Sequence, residues 1–327
     1  MRICIYGMGA VGGHLAAKLA ASGHEVCAVV RGETLAAVCR RGLTLKLGDR
    51  EIHVSITASD QPADLGRQDL VISSLKANSL SSLAAGVAPL LAEDTAVVFA
   101  QNGIPWWYAQ GLGHERPQPP DLSRLDPDGA LARAVAPQRI IGAVIQSANE
   151  MLEPGVVVSD NPTRNNLLVG EPDDRDSDRI GELRMALQAA GMGSPDVRDI
   201  RQAIWGKLML NMSASILCYL TGHPLTVLRD DERICALFMR VAREGMAIAA
   251  AHGVDVSDFQ PEAVPARAVP HKPSVLQDYE RGRPVELENL LLAPQAFGRT
   301  AGLETPSLDA IAALAVRQAV DKGLYAL

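Results

Sequence analysis

Gly7-Met8-Gly9-Ala10-Val11-Gly12 is a G-x-G-x-x-G run placed directly after the apolar residues 2–6. Between a strand and a helix, glycines at this spacing each serve a different need. The first permits a tight turn, the second lets backbone approach a pyrophosphate, and the third lets helix and strand pack closely. The anion then lies at the positive end of the helix dipole, where unsatisfied N–H groups meet it. All six positions, Gly7, Met8, Gly9, Ala10, Val11 and Gly12, therefore read as a dinucleotide-binding loop. The plain alternative is a glycine-rich turn with no ligand.

The end of the second apolar run, Val29-Val30-Arg31-Gly32-Glu33, bears on which dinucleotide is bound. An acid there binds the ribose 2′-hydroxyl of NAD, whereas an arginine suits the 2′-phosphate of NADP. Arg31 occupies that place and Glu33 lies two residues further on, so NADPH is the expected cofactor. Two further apolar runs end at Leu75-Lys76 and at Gln101-Asn102-Gly103. In doubly wound sheets ligands bind outside such ends. Lys76 can pair with a phosphate, and Asn102 can hydrogen-bond the nicotinamide ribose or a substrate. A solvated lysine and a turn asparagine are the other readings, and both stay open.

Residues 203–217 are apolar nearly all round, which marks a buried helix. Lys207, Asn211 and Ser215 fall at i, i+4 and i+8 and would share one face of it. An unpartnered buried lysine costs several kcal/mol or loses its charge. The stripe therefore reads either as the wall of a polar cleft or as a lysine whose ammonium reaches out to solvent. A third cluster runs from Lys272-Pro273-Ser274 through Gln277-Asp278 to Glu286. Ser274 and Gln277 have the spacing of a capping box, and Glu286 can pair with Lys207.

These side chains need a frame. At about 150 residues per domain, 327 residues make two domains. Short apolar runs at residues 2–6, 25–30, 70–75, 96–101, 139–145, 155–158 and 166–169 read as strands. Residues 11–22 read as a helix that Gly23 stops. Continuous apolar strands with helices between them predict a parallel sheet covered on both faces. Past the charged stretch 171–179 the pattern becomes helical, at 180–190, 200–220, 231–252, 286–301 and from Ser307. Residues 111–136, with Pro117, Pro119, Pro120 and Pro127, read as a loop or lid. The expected fold is α/β: a doubly wound parallel sheet over 1–174, then an all-helical domain over 175–327.

Composition narrows the partners. An apolar content of 47% excludes a disordered chain. Lysine and arginine total 31 against 38 acids, with no dense basic stretch, so no nucleic-acid partner is expected. No run approaches the roughly 18 apolar residues of a membrane span, and residues 1–6 lack signal-peptide anatomy. Cys4, Cys27, Cys39, Cys218 and Cys235 are scattered and odd in number, without a C-x-x-C pair. No disulfide framework and no metal site is expected, and the free thiols fit a cytoplasmic location.

Taken in this order, the clusters resemble the ketopantoate reductase family (2-dehydropantoate 2-reductases) over nearly the whole chain. The match consists of Gly7-x-Gly9-x-x-Gly12, Arg31, Lys76, Gln101-Asn102-Gly103, Trp205-x-Lys207-Leu208-x-x-Asn211, Pro273-Ser274-x-x-Gln277-Asp278 and Glu286. The resemblance implies a Rossmann-type domain and a helical domain with the active site in the cleft between them, a homodimer, and reduction of a 2-keto acid by NADPH. It implies Lys207 as the general acid and Glu286 near both lysine and nicotinamide. Asn102 would touch cofactor and substrate, Asn211 and Ser274 the substrate, and Arg31 and Lys76 the 2′-phosphate. Ala148 would make a backbone contact to the cofactor.

The chain departs from the family pattern at several places. Ser215 stands where a second asparagine is common, Ile104-Pro105-Trp106-Trp107 replaces a small turn, and Leu291-Leu292 replaces Asn-Gly. The proline-rich segment looks like an insertion. The expected reaction is reduction of 2-dehydropantoate to pantoate, a precursor of coenzyme A, with Ser215 joining Asn102, Lys207, Asn211 and Ser274 around the substrate. A bulkier 2-keto acid, favoured by Trp106, Trp107 and Ser215, is one rival. A dinucleotide-binding sensor without catalysis is the other.

Overall fold

The structure, a computed structural model, describes residues 1–159 and 165–326. The chain divides into two compact units, Met1–Gln101 with Asp126–Ile200, and Asn102–Leu125 with Arg201–Leu327.

The first unit begins with β1 (Arg2–Tyr6), α1 (Ala10–Ala21), β2 (Glu25–Val29) and α2 (Gly32–Arg41). A hairpin of β3 (Leu43–Leu47) and β4 (Arg50–Val54) leads to β5 (Thr57–Ser59), β6 (Gln68–Ser73), α3 (Ser81–Gly86) and β7 (Leu91–Ala100). The chain returns to this unit with α4 (Ala130–Ala134), β8 (Ile140–Ser147), β9 (Asn149–Glu153), β10 (Val156–Ser159), β11 (Asn165–Gly170) and α5 (Asp178–Ala189).

Seven of these strands form one sheet in the order β11-β8-β7-β6-β1-β2-β5. All its pairings are parallel except β11 with β8. The strand order reverses at β1, which lies between β2 and β6, and such a reversal is where doubly wound sheets bind ligands. The buried runs Ile3–Tyr6, Val26–Val29 and Leu70–Ser73 explain why these strands read so plainly as apolar.

A second, four-stranded sheet, β4-β3-β10-β9, was not expected. Its strands β3 and β4 alternate apolar and polar residues, and Gly48-Asp49 at their turn is the hairpin signal. α1 packs against strands of both sheets. That is why most of α1 is buried, and why Gly13 carries no side chain: a Cβ there would lie 2.7 Å from Val157.

The expected boundary after residue 174 falls inside the first unit. α5 supplies Ile180, Leu183 and Leu187 to the same core as Leu167 and Val169 of β11, so it belongs with the sheet. Glu171, at the head of the charged stretch 171–179, is buried and ion-paired to Arg179. Residues 111–136 are not one lid. They divide between the units at 125/126, with Leu125 and Leu131 buried on either side of the division.

In the second unit, α6 (Ile200–Leu210), a π-turn (Asn211–Ser215) and α7 (Ile216–Thr221) make one continuous helical run. This run is long and apolar enough to cross a membrane by length and composition alone, but it holds Arg201, Lys207 and Asn211 and is mostly buried within the protein. Around it stand α8 (Val227–Asp230), α9 (Glu232–Ala251) and α10 (Ser274–Glu280). A second π-turn (Glu288–Leu292) continues into α11 (Ala293–Thr300), and α12 (Pro306–Asp321) follows. Past residue 200 the described chain is helical, as expected.

Candidate active site

The glycine loop is held by three hydrogen bonds. Gly7 N donates to Val29 O at 3.0 Å, Ser74 N donates to Tyr6 O at 3.1 Å, and Ser74 Oγ donates to Gly7 O at 2.7 Å. Gly7 has φ +96°, and a Cβ there would press on Leu75 at 2.7 Å. A Cβ on Gly12 would collide with Gly7 O and Ser74 Oγ. The fold itself thus requires these two glycines. Gly9 is different, because a Cβ there would meet nothing within 4 Å. Its bareness leaves room outside the protein, at the N-terminus of α1. That terminus has no side-chain cap and no acid in its first turn. The loop therefore fits a dinucleotide pyrophosphate.

β1, β2, β6, β7 and β8 are parallel, so the residues after them emerge at one edge of the sheet. The glycine loop follows β1, Arg31 follows β2, Lys76 follows β6 and Ala148 follows β8. Arg31 is exposed and stands as the residue before α2, making no capping bond. Glu33, the competing ribose ligand, sits in the first turn of α2, where an acid is explained by the helix dipole. Lys76 is half-buried ahead of a short 3-10 turn.

In the second unit, Lys207 Nζ donates to Asn102 Oδ1 at 2.7 Å. The ammonium is therefore held by the protein, which decides against a lysine simply released to solvent. Lys207 and Asn211 are half-buried, but Ser215 is only 6% exposed. The π-turn begins at Asn211 and its wider repeat changes the face, so the stripe of an unbroken α-helix does not run as expected. Glu286 is buried just ahead of the second π-turn, and the two π-turns pack on each other. Such turns inside helices are frequent at functional sites.

The families described as "Ketopantoate reductase PanE/ApbA" and "Ketopantoate reductase PanE/ApbA C terminal" match residues 3–171 and 199–318. The chain belongs to the ketopantoate reductase family. It is 39% identical over 332 residues to the 2-dehydropantoate 2-reductase of Mesorhizobium japonicum, covering 99% of this chain and all of the relative. Among solved structures, a putative ketopantoate reductase from Ralstonia solanacearum is 34% identical with a TM-score of 0.91, covering 99% of both chains. The 2-dehydropantoate 2-reductase of Geobacter metallireducens is 28% identical with a TM-score of 0.83, covering 97% of this chain and 99% of that one.

Against the reductase pattern, two local expectations change. Ser274 is the first residue of α10 and Pro273 precedes it as the cap position, so the Ser274–Gln277 capping box does not form. The exposed Ser274 hydroxyl is not spent on capping. Trp106 and Trp107 are buried core residues of the second unit, Trp107 at 1% exposure, and give no support to a bulkier substrate.

Several residues that shape the reductase site were not singled out from sequence. Ser74 braces the glycine loop. Tyr108 takes hydrogen bonds from Arg201 and Trp205, and Asn289 contacts the 102–104 turn. Each acts through a distant backbone or side-chain partner, and spacing carries no sign of that. Among the described residues no group of three His, Cys, Asp or Glu side chains is placed to hold a metal.

Proposed function

We propose that the protein reduces 2-dehydropantoate to pantoate with NADPH, and that Lys207 is its proton donor. The hydrogen bond from Lys207 to Asn102 carries this reading, because it joins the family's lysine to the asparagine of the Gln101-Asn102-Gly103 motif. NADPH, when bound, supplies the hydride received by the C2 carbonyl carbon.

The backbone of Gly7, Met8, Gly9, Ala10, Val11 and Gly12 holds the pyrophosphate, and Arg31 and Lys76 hold the 2′-phosphate. Ala148, Asn102 and Glu286 complete the cofactor contacts. Lys207 stabilises the forming alkoxide by its charge and donates a proton to it. The hydrogen bond to Asn102 fixes where the ammonium stands. Asn102, Asn211, Ser215 and Ser274 orient the substrate's carboxylate and hydroxyl, which keeps the carbonyl in a reactive geometry. The glycine loop, Arg31, Lys76 and Ala148 belong to the first unit, and Asn102, Lys207, Asn211, Ser274 and Glu286 to the second.

Loss of reduced-nicotinamide absorbance with 2-dehydropantoate and a panel of other 2-keto acids tests the reading. Preference for 2-dehydropantoate supports it, and faster turnover of another acid replaces the substrate. A homodimer and a cytoplasmic location belong to the same proposal, and sedimentation and cell fractionation check them.

A further inference from the structure

The Asn102-Gly103 turn is shaped by a residue from the other end of the second unit. Ile104 N donates to Asn289 O at 3.0 Å, and Asn289 Nδ2 donates back to Ile104 O at 2.8 Å. The two residues are therefore clamped at two points. Gly103, at φ +75°, lies so close that a Cβ would sit 2.5 Å from Asn289 O. Asn289 is 3% exposed, where an amide must be hydrogen-bonded.

The local sequence explains why the Asn289 carbonyl is available. It lies in the π-turn Glu288–Leu292, where Ala293 N already bonds Glu288 O, five residues back. The matching donor for Asn289 O would be residue 294, which is proline and has no N–H. Ile104 N takes that place. Further along the same excursion, Arg201 binds Tyr108 O and Gln110 O, and Trp205 Nε1 donates to the Tyr108 hydroxyl. Asn102 lies on the near side of the Asn289 clamp, two residues from it, with Lys207 Nζ on its side-chain oxygen.

We infer that Asn289 is a positioning residue: it clamps Ile104, and through that turn it holds Asn102 against Lys207. This rests on the reduction proposed above. Asn289 touches no reacting atom in this scheme, and its effect passes through Asn102.

The test is a double-mutant cycle on the full chain with NADPH and 2-dehydropantoate, using Asn289→Leu and Asn102→Ala, together with hydrogen exchange of residues 102–108. Asn289→Leu keeps the volume and removes the amide donor. The expected result is a fall in kcat of about tenfold or more, and faster exchange in 102–108. In the Asn102→Ala background Asn289→Leu should cost nothing further, since residues acting as a unit are not additive. Multiplying losses, or wild-type kcat in folded Asn289→Leu, overturn the assignment. If Asn289→Leu does not fold, Pro294→Ala takes its place in the cycle, because it offers Asn289 O a competing helical donor. If the wild-type chain turns over no 2-keto acid, the proposed function fails, while unchanged exchange in 102–108 refutes the clamp by itself.

Discussion

Lys207 and Asn102 are 105 positions apart in the chain and meet at 2.7 Å. Asn102 enters the second unit with the excursion 102–125, and Lys207 stands on the helix that opens the rest of that unit. A general acid contributes about 10²- to 10⁴-fold in rate. Lys207→Ala should lower kcat by that order and leave NADPH affinity little changed, because the glycine loop belongs to the first unit. Steady-state kinetics with a nucleotide titration reads both. Near-normal kcat in the folded variant would remove the lysine from the chemistry.

Arg31 offers a test of cofactor choice that is independent of turnover. It is exposed and makes no capping bond, whereas Glu33 is accounted for by the first turn of α2. Hydrogen bonds to a charged group contribute about 1.5–3 kcal/mol, which is roughly 10- to 100-fold in affinity. Arg31→Ala should weaken NADPH by about that factor and leave NADH nearly unchanged. Calorimetric titration of both nucleotides decides it, and equal weakening of the two would refute the 2′-phosphate contact.

Ser74 and Gly12 probe the brace beneath the glycine loop. Ser74→Ala removes the bond to Gly7 O. A neutral hydrogen bond is worth about 0.5–1.5 kcal/mol, so dinucleotide affinity should fall roughly two- to tenfold. Gly12→Ala should do more, since its Cβ runs into Gly7 O and Ser74 Oγ and the loop must move. NADPH fluorescence titration measures both variants, with circular dichroism as the folding control. Unchanged affinity in folded Gly12→Ala would mean that the loop does not hold the dinucleotide.

What could be read from sequence follows from burial. β1, β2, β6, β7 and β8 are apolar along most of their length because the sheet is covered on both faces, and each appears as a run. β3 and β4 alternate apolar and polar residues and β9 is mostly polar, so these three escape the same search, whereas the valines of β10 read as a strand. The excursion 102–125 is adjacent in sequence to β7 but packs with helices a hundred residues later, through hydrogen bonds that have no period. The π-turns keep the apolar content of ordinary helix, so nothing in composition separates Ser215, which is buried, from Lys207, which is half-buried. The chemistry-bearing residue types were legible because they break an apolar background. The residues that hold them, Ser74, Tyr108 and Asn289, were not, because each looks ordinary where it stands.

His14, on α1 just after the glycine loop, gives a pH dependence with a definite sign. Its side chain is 0% exposed, and Nε2 stands 2.6 Å from Asn165 Oδ1. Asn165 Nδ2 donates to Gly191 O at 3.0 Å, which orients the amide so that Oδ1 accepts from the imidazole. His14 is thus neutral with its proton on Nε2, and Nδ1 has no partner among the described residues. Burial is the main cause that lowers its pKa from 6.5 to about 4; the bond to Asn165 opposes the shift, and the nearby Lys18 charge adds to it. Between those two values the unfolded chain binds a proton that the folded chain refuses. The stability is therefore fully present above pH 6.5 and is lost as pH falls towards 4, at a limiting slope of about 1.4 kcal/mol per pH unit. Other groups titrate in the same range, so the difference between wild type and His14→Gln isolates this one. Urea unfolding midpoints across this range should fall more steeply for the wild type than for His14→Gln, and parallel curves would show that His14 is not buried neutral.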